Sequence, residues 1–142
     1  MKSYMKGNEM AFDLKKSDPA KLAEVGYEFE VTTPAGDKTG IKIAVRGDQS
    51  PVVKNHGRKV YQEMKLKEQQ AKRRGKEYEL DLDEADEMSA EAAAVRIIGW
   101  TGLIEDGKEI KFSKEEAVRI CAEYSFVKEQ VLEQSSNVFN FQ

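Results

Sequence analysis

Cysteine and histidine are almost absent: the 142-residue chain has one of each, Cys121 and His56. A lone cysteine excludes an internal disulfide, and one Cys with one His supplies too few ligands for zinc chemistry. The same scarcity disfavours nucleophilic catalysis. A Ser or Cys nucleophile needs an activating base, His56 lies far in sequence from Cys121, and no nucleophile-elbow motif surrounds any serine. Long apolar runs are missing as well. Nothing approaches the length of a membrane span, and MKSYMKGNEM at the start lacks the apolar stretch of a signal peptide, so a cytosolic protein without membrane contact is expected.

Charge is what the chain has in quantity. Asp, Glu, Lys and Arg make up 35% of it, yet the net value is only −3. The signs are segregated: Lys54 to Lys76 is rich in Lys and Arg, Glu77 to Glu91 in Asp and Glu. A basic helix can track phosphates, but this one offers only Tyr61 for stacking and an acidic block follows it at once, which argues against nucleic acid. Carboxylate pairs are plentiful because the chain is acidic, and none is singled out by an apolar setting. The reading is therefore a non-enzyme with no catalytic, cofactor-binding or metal-ligating residue. Its length suits one domain spanning 1–142, with a flexible N-terminus over about 1–20 and a linker at 76–82.

One short stretch tests that reading. GLIEDGKE, Gly102 to Glu109, has the G-x-x-x-x-G-K spacing of a phosphate-binding loop. The following position should carry a hydroxyl for Mg²⁺ and carries Glu109 instead, while Glu105 and Asp106 would repel a polyanion. The flanks are wrong too, with helical spacing before and alternation after. Asp106-Gly107 between apolar-containing runs is a hairpin signal, so Gly107 is assigned a structural turn and Lys108 an exposed one.

The remaining pattern predicts an α+β fold: an N-terminal β-hairpin packed with a mainly α-helical remainder, plus a small second hairpin near 103–112. GYEFEVTT and TGIKIAVRG alternate apolar and polar residues around the turn sequence PAGDKTG. Ser50 and Pro51 open a helix expected to end near Gly75. Ala85, Met88, Ala92, Val95 and Ile98 hold helical spacing, predicting a second helix over about 83–98 that turns at Gly99-Trp100. Trp100 is read as a packing residue between that helix and the second hairpin. Ser113 with Glu116 forms a capping box that starts the last helical segment, which Ser125 interrupts or recaps and which reaches about Ser135. Phe139 and Phe141 follow it, either packed on the protein's own core or offered to a partner.

The order of these features, in IAVRGDQSPVV at Ile43 to Val53 and IIGWTGLIEDGKEIKFSKEEAVRI at Ile97 to Ile120, resembles the tail assembly chaperones of long-tailed bacteriophages. The resemblance covers most of residues 25–135. It implies a protein of the bacterial host cytoplasm without catalytic site or cofactor. It also implies two partners, the phage tape-measure protein and the tail-tube protein, with helical elements and Phe139 and Phe141 as the partner-binding candidates. Self-association is left open. The alternatives are a small nucleic-acid-binding regulator using the basic helix 54–76, or another phage neck or tail-completion protein.

Overall fold

The computed structural model describes residues 13–142, so most of the N-terminal segment read as flexible lies outside the described residues. From Asp13 the chain forms a 3₁₀ turn, Leu14–Ser17, and a short helix α1, Pro19–Val25. Two strands follow, β1 Tyr27–Thr32 and β2 Lys38–Val45. Two helices come next, α2 Pro51–Arg73 and α3 Leu82–Ala94. Strand β3 spans Ile97–Thr101, and the two-residue strands β4 Ile104–Glu105 and β5 Lys108–Glu109 form a second hairpin. The chain closes with α4 Lys114–Glu123, α5 Ser125–Ser136 and a 3₁₀ turn, Val138–Phe141.

The fold is α+β. Strands β1, β2 and β3 make one antiparallel sheet in that order. Phe29, Val31, Ile43, Val45 and Ile97 point to one face, where α3, α4 and α5 cover them with Ala90, Ala93, Ala117, Ile120, Cys121 and Val131. Alternation in β1 and β2 sets this face, and the small alanines let α3 approach closely. Ile43 and Val45 are fully buried, each worth about 2 kcal/mol of hydrophobic stabilisation. Along β1, the side chain of Gln130 from α5 accepts from Thr32 N–H at 2.9 Å and donates to Thr32 C=O at 2.7 Å. A side-chain amide thus stands where another strand would pair.

The structure corrects the helix drawn over 83–98. It ends at Ala94, and Ile97 to Thr101 instead pair with β2, Ile43 lying opposite Trp100 and Val45 opposite Ile97. Arg46-Gly47-Asp48, the exit from β2, is a junction: Arg46 N–H donates to Arg96 C=O, Gly47 N–H to Ala23 C=O and Asp48 N–H to Ser135 C=O. One loop thereby ties together α1, α5 and the α3–β3 connection. Asp48 also accepts from Arg96 Nε at 3.2 Å.

Candidate functional site

Helix α2 is built to project. Ser50 Oγ accepts from Val52 N–H at 3.2 Å and donates to the Glu24 carboxylate, while Pro51 occupies the first turn where no amide is needed. Its 23 residues make a rod about 35 Å long. Only Val53 is buried along it. His56, Val60, Met64 and Ala71 form a half-buried stripe. At the far end Gly75 takes φ 72, and the chain returns through 76–81 to α3, capped by Asp81 accepting from Glu84 N–H.

Helices α2 and α3 meet at one polar clamp. Lys67 Nζ lies 3.2 Å from Glu84 Oε2, and Tyr78 OH donates to the same oxygen at 3.2 Å. The hydrogen bond to Glu84 holds Lys67 above the usual lysine range. An exposed pair of this kind positions the helices more than it stabilises them. Beside the clamp the cleft holds about 140 Å³, with Met64 facing Met88. Over the sheet end it widens to about 570 Å³, with Val52, Val60, Ala94, Val95, Ile98 and Phe112 on its walls. Charged side chains, Lys59, Glu63, Glu87, Glu91 and Lys114, line the cleft among these apolar ones, a mixture that an amphipathic helix can match. Sequence reasoning assigned Met88 and Ile98 to a helical stripe but did not bring them together with Val60 and Met64 of α2. The available signal was that α2 carries too few apolar residues to be covered on any side.

The second hairpin leads into the segment that brings Phe112 to the cleft wall. Asp106 and Gly107 take φ 51 and 76, the left-handed pair of a two-residue hairpin turn, and Ile104 pairs with Glu109 across it. Trp100 is half-buried: its Nε1–H donates to Ile110 C=O at 2.8 Å and its ring meets Phe112 edge-on at 5.1 Å. Ser113 Oγ accepts from Glu116 N–H at 3.0 Å. Glu116 does not complete the capping box, because its carboxylate goes to Arg119 Nε at 2.7 Å.

Arg119 is the centre of an ion cluster missed in the sequence. Its guanidinium is bidentate on Glu105, at 2.9 and 3.2 Å, and reaches Glu123 at 3.3 Å; Tyr124 OH also donates to Glu105. Hydrogen bonds from Arg119, joined at Glu105 by Tyr124, hold Glu105 and Glu116 below the usual carboxylate range, and bonding to Glu105 raises the Tyr124 phenol. A carboxylate whose folded pKa is depressed contributes stability above its unfolded value and loses it as pH falls through the folded one. Below about pH 4.5 the cluster should therefore weaken. Arg119→Met is expected to flatten the acid limb of the stability curve relative to the native protein, measured by urea unfolding between pH 3 and 6. Equal slopes would mean the cluster does not couple to folding.

The phosphate-loop spacing falls on the second hairpin. Lys108 lies on β5 and is exposed, and Glu105 is committed to Arg119. Lys108→Ala should change stability by less than about 0.5 kcal/mol. ATP binding by the native protein that disappeared in this variant would contradict the hairpin assignment. Cys121 is buried, which pushes its thiol up to about 11, away from the reactive thiolate. Among the described residues no group of three or more His, Cys, Asp or Glu is placed to hold a metal ion, and no helix is long and apolar enough to cross a membrane.

The C-terminal phenylalanines part company. Phe141 packs edge-on to Tyr27 at 6.3 Å between ring centroids, whereas Phe139 is 75% exposed. They share no surface with the α2–α3 cleft; Phe141 lines a different depression, with α1 and Gly47.

The family model described as YdaY prophage protein matches residues 54–142, more than half of the chain. The chain belongs to the YdaY prophage protein family. Membership makes it a prophage protein, in keeping with the coarser part of the phage resemblance. The match takes in α2 from Lys54 onward, α3, β3 and all that follows, hence most of the cleft lining, and leaves β1, β2, Arg46 and Val52 outside. No curated protein and no solved structure matches the chain.

Proposed function

We propose that this prophage protein is a non-catalytic tail assembly chaperone. In this reading it holds a helical stretch of the tape-measure protein in the α2–α3 cleft while tail-tube subunits polymerise around that partner. The observation that carries the proposal is the cleft itself, in which apolar side chains of α2, α3 and β3 are interspersed with charged ones, and most of which lies in the family-matched region. A long helical partner exposes apolar stripes that aggregate, and a highly charged chaperone covering them supplies both burial and solubility. Co-expression tests this directly. A tape-measure fragment should become soluble and co-purify in high salt, since apolar association survives screening.

A second reading draws on the outward side of α2, where Lys54, Arg58, Lys65 and Lys72 are exposed at spacings that share one helical face, with Lys65 Nζ 5.5 Å from the Tyr61 ring. That stripe could follow phosphates. Failure to solubilise any tape-measure fragment, together with DNA retention that collapses as salt rises, would transfer the assignment to nucleic acid. A gene order without neighbouring tail-tube and tape-measure genes would instead favour a neck or tail-completion role.

A further inference from the structure

We propose that a second copy of this chain covers the mouth of the cleft, two α2 helices packing antiparallel about a twofold axis. The inference goes beyond the chaperone reading and does not rest on it, although a twin and a helical partner would exclude each other at this mouth. Val52, His56, Lys59 and Glu63 line the wide end from α2. They recur at alternating spacings of four and three, and Leu66 continues the series, so these side chains share one face of the helix. Val52, Leu66 and, on β3, Ile98 are exposed large apolar residues.

The charge on this face suits a twin. A surface of one sign repels its own copy, whereas Lys59 and Lys114 here stand among Glu63 and Glu91, and Arg46 lies beside Glu24. Among the described residues Lys59 and Glu63 form no salt bridge. A twofold interface repeats each of its contacts. With the axis midway between Lys59 and Glu63, Lys59 of each copy faces Glu63 of the other and His56 meets Leu66. That axis falls near the centre of α2, so the two rods overlap along their length. It also lays the projecting half of each helix over the wide end of the other's cleft, where Leu66 shelters the apolar surface around Val52 and Ile98. A pairing with charges at its centre and few apolar side chains should be weak and salt-sensitive.

Light scattering over a concentration series at low salt tests this on the full-length chain. The native protein should pass from monomer to dimer. Lys59→Glu and Glu63→Lys each set like charges opposite one another across the axis, and each should weaken the dimer at least about tenfold. The double variant Lys59→Glu/Glu63→Lys should dimerise again, and an equimolar mixture of the two single variants should form a heterodimer. Both positions are exposed, so all variants should melt like the native protein. A native protein that stays monomeric at every concentration would overturn the proposal. So would a dimer indifferent to the single reversals, or a double variant and a mixture that both remain monomeric. Capture of the tape-measure fragment is scored separately. A monomer that captures it loses only the dimer, and a dimer that captures none loses only the chaperone reading.

Discussion

Trp100→Ala is expected to lower the free energy of unfolding by about 3 kcal/mol, toward the low end for a large aromatic because the side chain is only half-buried. The indole stands where three parts of the chain meet. It lies opposite Ile43 in the β2–β3 register, meets Phe112 edge-on, and donates to Ile110 C=O just beyond the second hairpin. Truncation removes the ring contacts and leaves the Ile110 carbonyl to find water. Trp100→Phe separates these contributions: it keeps an aromatic against Phe112 and should lose only about 1–2 kcal/mol, partly through the missing hydrogen bond. Urea unfolding with an unchanged m-value would report a stability effect on an intact fold. A melting temperature unaffected by the alanine variant, combined with loss of tape-measure capture, would mean that Trp100 serves a partner instead.

How Trp100 came to lie in a strand explains much of what the sequence did and did not show. Signals contained within a few residues were readable. Ser50-Pro51 opens α2, Asp106-Gly107 turns the hairpin and Ser113 caps α4 because each acts on backbone groups close by. The alternation of β1 and β2 was readable because one face is buried and the other wet. Strand β3 was not, for a reason found in its register. Ile97 and Trp100 both face the core, yet three positions separate them, so a regular strand would put them on opposite faces. The pairing skips Ile98, with Gly99 opposite Ala44 and Ile97 opposite Val45, and this bulge restores both to the core. Without knowledge of β2's free edge, Met88, Ala92, Val95 and Ile98 continue a helical stripe, and periodicity favours helix.

The cleft was hidden for a related reason. Apolar periodicity identifies the inward side of a helix but not what that side meets. On α2 the stripe of Val60 and Met64 faces a gap shared with α3, closed only at the Lys67–Glu84 clamp. Charge segregation between Lys54–Lys76 and Glu77–Glu91 was visible as two runs. Its consequence depends on the antiparallel return of α3, which brings the acidic run back beside the basic helix, with Glu91 lining the same end of the cleft as Lys59 and Glu84 meeting Lys67 at the other.

Phe141→Ala should cost about 2–3 kcal/mol, whereas Phe139→Ala should cost less than about 0.5 kcal/mol, although the two residues are nearly adjacent and chemically the same. The terminal 3₁₀ turn separates them. Asn137 accepts from Phe139 N–H, and Asn140 Nδ2 donates to the Gln134 backbone and side-chain oxygens, anchoring the turn to the end of α5. With three residues per turn, positions two apart point in widely different directions, so anchoring Phe141 inward leaves Phe139 outward. Phe141 sits against Tyr27, Ala23 and Gly47, and a Cβ on Gly47 would come within 3.0 Å of its ring. Gly47 therefore makes room for the ring at the same loop that ties α1 to α5, and losing the ring should loosen α1 as well. Thermal unfolding of both variants checks the contrast, and equal losses would contradict the placement of the turn. The same pair bears on function. If Phe139→Ala melts like the native protein but captures less tape-measure fragment, the partner surface extends from the cleft to the C-terminal turn. Undiminished capture would leave the cleft as the sole contact proposed, with Phe139 an exposed aromatic that contributes to neither folding nor binding.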